Sequence, residues 1–320
     1  MGVAMKVFIA GASGALGTHL IPDLVAAGHD VIAMTRTPAK QDGLRALGAR
    51  PVVADALDPE AVARVVGEAD PEVIVHQLTA LSGPMDIRHF DRAFELTNRL
   101  RTDATDHLLA AGRAVGTRRF VAQSYAGWRW SRTGGRLLTE DDPIELDVPV
   151  AAERPKLQAM VHLEQAVTSI DWGEGVVLRY GGLYGPGTGM SSEPGQVMPD
   201  MIRKRRFPVV GDGSGVWSYI HIEDAAAVTA TAVEGGAPGV YNIVDDEPAA
   251  VREWLPVLAS ELGAKPPRRV PRWLGRLAAG EMAVLMMTDV CGFSNAKAKR
   301  ELGMELRYPS WRQGFAQGLG

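Results

Sequence analysis

The sequence predicts an α/β fold: a doubly wound parallel sheet with a smaller, interleaved C-terminal lobe. Three observations point there. Short β-branched runs alternate with longer helical patterns from Lys6 to Arg179, and a glycine-spaced turn joins the first of these runs to a helix. After Tyr180 the texture changes to loop-like and basic segments before a sheet-and-helix pattern returns at Tyr219 to Val233. Parallel neighbours need crossovers long enough to hold a helix, so regular alternation is their signature.

The first strand, Lys6 to Ala10, leads through Gly11-Ala12-Ser13-Gly14-Ala15-Leu16-Gly17 into a helix over Gly14 to Ala27, ended by Gly28. Asp30 to Met34 and Arg50 to Ala54 read as the next two strands. Asp58 and Pro59 open a helix over Glu60 to Val66, since aspartate caps free N–H groups and proline suits the first turn. Val73 to Gln77, Arg119 to Ser124 and Gly175 to Tyr180 complete six strands, each short and apolar on both faces, as helices on both sides require. In this reading residues 1–180 form the sheet domain and 211–245 return to it. Residues 181–210 and 246–320 make the lobe.

Composition removes several function classes. The 320 residues are 46% hydrophobic and 22% charged, ordinary values for a globular chain. Lys+Arg 34 against Asp+Glu 38 gives a net charge of -4, so no global basic field exists to hold nucleic acid. The single cysteine, Cys291, excludes an internal disulfide and a sulfur-based zinc site, and no metal is expected. The longest apolar region, Trp273 to Val290, is interrupted by Arg276, Glu281 and Asp289, which argues against a membrane span. With no signal-peptide pattern at Met1 to Lys6, the expectation is a cytoplasmic protein acting on a small molecule.

The glycine turn carries the chemistry of diphosphate binding. Glycines let the chain turn sharply and bring backbone N–H groups close to oxygen, and the helix N-terminus faces the negative charge. Placed after the first strand, it is the phosphate site of a Rossmann-type domain. An acid on the ribose hydroxyls at the end of the second strand would indicate NAD. Val31-Ile32-Ala33-Met34-Thr35-Arg36 holds none; Arg36, with Lys40 close behind, suits a 2′-phosphate. The cofactor expected is NADP, with NAD as the alternative.

At these residues the chain resembles the extended short-chain dehydrogenase/reductase superfamily, the NAD-dependent epimerase/dehydratase group. The resemblance continues through Val52-Val53-Ala54-Asp55-Ala56-Leu57-Asp58, Val73-Ile74-Val75-His76-Gln77-Leu78-Thr79-Ala80 and Asn98. Further on come Arg119 to Ser124, Leu178-Arg179-Tyr180-Gly181-Gly182-Leu183-Tyr184-Gly185-Pro186-Gly187, Gly211-Asp212-Gly213 and Tyr219-Ile220-His221-Ile222-Glu223-Asp224. The resemblance implies a cofactor site of Gly11, Ser13, Gly14, Ala15, Leu16, Gly17, Arg36, Asp55, Ala56, Leu78, Thr79, Ala80, Asn98, Lys156, Tyr180, Gly181 and Leu183. Asp55 would sit by the adenine. It also implies a homodimer, through helices around Phe94 to Ala111 and Lys156 to Val167.

The departures fall where the family does its chemistry. Active members carry a tyrosine four residues before a lysine, the lysine lowering the tyrosine's pKa while the tyrosine moves a proton at the substrate oxygen. If Lys156 is that lysine, Ala152 replaces the tyrosine; if Glu164 sets the register, Lys156 takes the tyrosine's place and Met160 the lysine's. No tyrosine lies between Tyr125 and Tyr180. Catalytic candidates are therefore Ser124 or Tyr125, to polarise an oxygen, and Lys156 at the ribose. His76 and His162 read as structural histidines. Sugar-nucleotide relatives carry an asparagine and an arginine where this chain has Gly182 and Trp217, so a sugar nucleotide is not expected. Trp128, Gly182 and Trp217 would line a substrate pocket, with Trp128 and Trp130 serving either the pocket or the lobe core. The function expected is hydride transfer to or from a carbonyl or carbinol of a small, rather apolar metabolite. The alternatives are an epimerase or dehydratase with transient oxidation, or a cofactor-binding sensor without turnover.

Overall fold

The computed structural model describes residues 3–81, 90–130 and 137–320. Its centre is a parallel sheet of seven strands: β1 (Lys6–Ala10), β2 (Asp30–Thr35), β3 (Arg50–Val53), β4 (Val73–His76), β5 (Arg119–Tyr125), β6 (Glu174–Tyr180) and β7 (Gly239–Ile243). They lie in the order β7-β6-β5-β4-β1-β2-β3, every neighbouring pair parallel. The six-strand expectation is one short. Gly239-Val240-Tyr241-Asn242-Ile243 forms the edge, where polar residues interrupt the apolar run that marks an inner strand.

Six helices frame the sheet: α1 (Ala15–Ala26), α2 (Pro59–Ala69), α3 (Phe90–Arg101), α4 (Asp103–Val115), α5 (Arg154–Thr168) and α6 (Ile222–Glu234). Alternation along β1 shows how the two faces are filled. Val7 and Ile9 pack with Leu20 and Leu24 of α1 and Val228 of α6, while Phe8 packs with Val65 of α2, Leu108 of α4 and Leu163 of α5. Asp58 caps α2 as the sequence implies, accepting from the N–H groups of Glu60 and Ala61 at 3.1 Å each. Gly14 caps α1 with no side-chain hydrogen bond, which leaves the first-turn N–H groups to a ligand.

A second core, built from Tyr184, Trp217, Tyr219, Trp254, Trp311 and Phe315, holds the lobe. The chain crosses between sheet and lobe repeatedly: Gly182–Tyr184 runs parallel to Tyr219–His221, and Val216–Trp217 pairs antiparallel with Ala249–Ala250. The helix Arg272–Thr288 kinks at Gly280 (φ 87°), burying Met282, Met286 and Met287 beyond the kink. Among the described residues no helix is long and apolar enough to cross a membrane, and no group of three or more His, Cys, Asp or Glu could hold a metal ion.

Candidate active site

Strand order reverses between β4 and β1, and there, at the carboxyl ends of the strands, a cleft of about 750 Å³ opens. The glycine turn forms one wall with Gly11, Ser13, Gly14 and Ala15. Gly11 has φ 91° and passes so close to β4 that a Cβ would lie 2.7 Å from the Gln77 carbonyl oxygen. At Gly17 a Cβ would come within 2.4 Å of the Ala12 oxygen, so this glycine seats α1 tightly against its own turn. The second wall comes from Asp55 and Ala56 after β3 and from Gln77, Leu78, Thr79 and Ala80 after β4. Asp55 folds its own loop, its carboxylate accepting from the Leu57 N–H at 3.0 Å.

At the mouth stand Thr35, Arg36 and Lys40. Thr35 is fixed by the Ser13 hydroxyl at 3.3 Å and by the Thr37 N–H at 3.2 Å. Arg36 and Lys40 are exposed and make no ion pair among the described residues. Deeper in, Leu96 and Leu100 of α3, Gln123 of β5 and Leu183 line the cleft. Gln77 donates to the Tyr180 hydroxyl at 3.4 Å and leaves its own buried Oε1 without a partner. An uncapped helix N-terminus, glycines where a Cβ would intrude, and an orphaned acceptor inside fit an adenine dinucleotide lying along the crevice.

Of the residues named from the sequence, Gly11, Ser13, Gly14, Ala15, Arg36, Asp55, Ala56, Leu78, Thr79, Ala80 and Leu183 line this cleft together. Leu16 is buried in the sheet core instead. Tyr180 is buried with its hydroxyl 2.6 Å from that of Thr229. Gly181 and Gly182 pass tightly by Ser218 and Tyr219, and Asn98 lies half-buried on α3 with an unpartnered Oδ1. Sequence reasoning passed over Gln123, Leu96 and Leu100. Strand alternation puts Gln123 on the face shared with Tyr125, a signal available in advance; the two leucines depend on how α3 packs.

Next to the cleft-lining Gln123, behind the lining itself, lies a charged and aromatic cluster. Ser124 donates to Glu164 Oε1 at 2.6 Å, and Arg179 grips the same carboxylate from Nε at 2.9 Å and Nη2 at 2.6 Å. All three side chains are buried. Lys156 is also buried, ion-paired to Glu153, with its ammonium 5.9 Å from the centre of the Trp128 ring. Burial pushes the lysine pKa down against the pull of Glu153, and pushes the Glu153 carboxyl up. Lys156, Met160 and Glu164 share the buried face of α5, four residues apart, whereas Ala152 is exposed. That geometry agrees with the register set by Glu164.

Tyr125 folds back over Gly127, where a Cβ would lie 2.5 Å from the phenol oxygen. Its ring meets Trp128 edge-on at 5.5 Å, and Trp128, held at φ 50°, meets Trp217 at 5.8 Å. Trp217 donates from Nε1 to the Met286 carbonyl at 2.8 Å. Burial raises the Tyr125 pKa well above its usual value, opposed by Arg101 and reinforced by Glu153, so the phenol keeps its proton. His76 is buried between the Leu100 carbonyl at 3.1 Å and Thr105 at 3.0 Å, and burial lowers its pKa to about 4. His162 lies on the outer side of α5 in an ion pair with Asp106 at 2.8 Å. Both histidines are structural.

Known proteins share the fold and sequence of this chain. A model of the NAD dependent epimerase/dehydratase family matches residues 7–244. A Streptomyces protein named 3-diazoavenalumate denitrifying reductase is 43% identical over 98% of this chain and 100% of its own. A Stigmatella aurantiaca ketoreductase of a farnesylated dihydroquinoline oxide is 29% identical over 93% of this chain and 91% of its own. Among solved structures, the UDP-glucose 4-epimerase of Thermotoga maritima superposes with a TM-score of 0.75 at 21% identity, covering 98% of this chain and 97% of that one.

Proposed function

The chain belongs to the NAD dependent epimerase/dehydratase family, and from that premise we propose that it is an NADPH-dependent reductase whose hydride acceptor needs no proton from a tyrosine. One observation carries this reading: the buried face of α5 presents Lys156, Met160 and Glu164, and no tyrosine occurs between Tyr125 and Tyr180. When bound, nicotinamide supplies a hydride to an electrophilic atom. The glycine turn and the N-terminus of α1 would hold its diphosphate, Arg36 and Lys40 the 2′-phosphate, and Gln77 a polar group near the inner end.

A carbonyl oxygen that accepts hydride at its carbon gains an electron pair and calls for a proton. A carbon bearing a diazonium group does not. The carbon–nitrogen bond breaks with its electron pair, dinitrogen leaves, and the hydride takes its place, so the step balances without a protein acid. The relative at 43% identity is named for the removal of a diazo group. The edge-on rings of Tyr125 and Trp128, two and five residues after the cleft-lining Gln123, suit a planar, conjugated acceptor. We therefore assign the acceptor class as a planar diazo-substituted compound. Carbonyl reduction is the second reading, favoured by the protonated phenol of Tyr125 beside the cation of Arg101. Ser124 orients Glu164 in either case, since its hydroxyl proton is already donated there.

The test follows nicotinamide absorbance with NADPH or NADH against a panel of aryl diazo compounds and planar ketones. The expected result is NADPH consumption with diazo compounds, release of nitrogen, and unchanged turnover in Tyr125→Phe. Turnover of ketones alone, abolished in Tyr125→Phe, overturns the first reading in favour of the second. Binding without consumption of either class points to a sensor. The side-by-side packing of α3 and α5 supports a homodimer formed through these helices, to be checked by light scattering. A reducing, cytoplasmic setting suits the single cysteine.

A further inference from the structure

Among the described residues Arg101 and Arg129 are buried cations with no ion pair, and Arg101 alone of the two has no hydrogen bond either. Arg101 closes α3 directly after the cleft-lining Leu100 and is 4% exposed. Its guanidinium makes no ion pair and no hydrogen bond with any described residue, and Nη1 is fully enclosed. An unpaired buried charge is far costlier than a paired one, so folded chains place an anion beside it or leave room for one.

Among the described residues Glu164 acts on Arg101 through space, but no carboxylate forms an ion pair or hydrogen bond with it. Glu164 of α5 is held by Arg179 of β6 and by Ser124 of β5. Glu153, just before α5, is held by Lys156. Arg129, from the segment after β5, adds another buried cation whose Nη2 is spent on the carbonyls of Asp142 and Pro143. His76 of β4 stays neutral, and Tyr125 keeps its proton. The buried ionisable groups here are thus Arg101, Arg129, Lys156 and Arg179 against Glu153 and Glu164, a surplus of positive charge among the described residues.

We infer that Arg101 receives the anionic end of the substrate, a carboxylate, while the planar body of that substrate lies against Trp128 and Tyr125. The inference rests on reading the cleft as a reductase site. It assigns a substrate class, planar conjugated carboxylates, and makes Arg101 the residue that sets it. Arginine suits the task because its planar fork meets a carboxylate with two parallel hydrogen bonds.

The test compares trans-cinnamate with methyl cinnamate, which share a conjugated body and differ in charge, by tryptophan fluorescence titration of the intact protein with and without NADP. Cinnamate is expected to bind saturably and at least about 30-fold more tightly than the ester, as for a buried charge pair that loses one partner. Arg101→Gln should reduce cinnamate to the level of the ester and leave the ester and NADP affinities unchanged; Arg101→Lys should recover part of the difference. Equal binding of acid and ester, absence of binding by both, or a parallel loss of NADP affinity in Arg101→Gln overturns the inference. Should Arg101→Gln fail to fold, the acid-to-ester ratio on the unaltered protein decides alone. Failure to bind NADP at all would strike the reductase reading, whereas the cinnamate comparison without cofactor would still report on Arg101.

Discussion

The two ends of the cleft are built on opposite principles. The outer end is made of backbone: glycines with no room for a Cβ, an uncapped helix terminus, and two cations on the rim with no ion pair among the described residues. Behind the inner lining the structure is made of side chains, with charges of α5 and β6 paired together, Ser124 of β5 bonded to them, and indole rings packed alongside. A site of the first kind recognises a ligand common to many enzymes and contributes little to holding the fold. A site of the second kind is part of the core, so its chemistry and its stability change together.

Substitutions can break this contrast or sharpen it. The largest effect is expected from Glu164→Ala, which strands the buried charge of Arg179 and should cost about 3–5 kcal/mol in urea unfolding. A loss under about 1 kcal/mol, as for an exposed pair, would show that the inner end is not core after all. Arg36→Ala should leave unfolding unchanged while weakening NADPH by about 1.5–3 kcal/mol, the value of hydrogen bonds to a charged group, and sparing NADH. Calorimetric titration with both nucleotides checks it, and equal weakening of both would remove the argument for a 2′-phosphate. Gly17→Ala joins the two behaviours: overpacking against the Ala12 oxygen should cost about 1–3 kcal/mol in unfolding and lower cofactor affinity as well.

The smallest effect, taken per pH unit, is a pH dependence. His76 has a pKa of about 4 when folded, against 6.5 for the free side chain. Between those values the unfolded chain binds the extra proton, so the contribution is fully present above pH 6.5 and is lost as pH falls toward 4. The slope is at most about 1.4 kcal/mol per pH unit. Melting curves across this window should flatten in His76→Gln, and an unchanged slope would place the titrating group elsewhere.

The outer end was legible because its grammar is local. A strand, a glycine turn and a helix occupy consecutive residues, and Gly11 to Gly17 can be read without knowing what packs on them. Asp58 and Pro59 announced their helix in the same way. The inner end was legible only in part. Tyr125, Lys156 and Trp128 were singled out, and they do gather there. Glu153, Arg101 and Arg179 escaped notice as charges, because a charge run or a lone arginine reads as surface until burial shows otherwise. The edge strand Gly239–Ile243 falls within residues 211–245, expected to return to the sheet domain, but was not counted among the strands, since its pairing partner lies far back in the sequence at Glu174–Tyr180.

Because strand Gly182–Tyr184 is stitched to Tyr219–His221, and the chain then goes back to the sheet edge at Gly239–Ile243 before Val251–Glu261 resumes the lobe, no single cut releases the lobe from the sheet. Anyone wishing to transplant a new specificity onto this scaffold faces a tailoring problem: the replacement must arrive as several patches sewn in at separate seams, and a swapped tail alone would leave half the old garment in place.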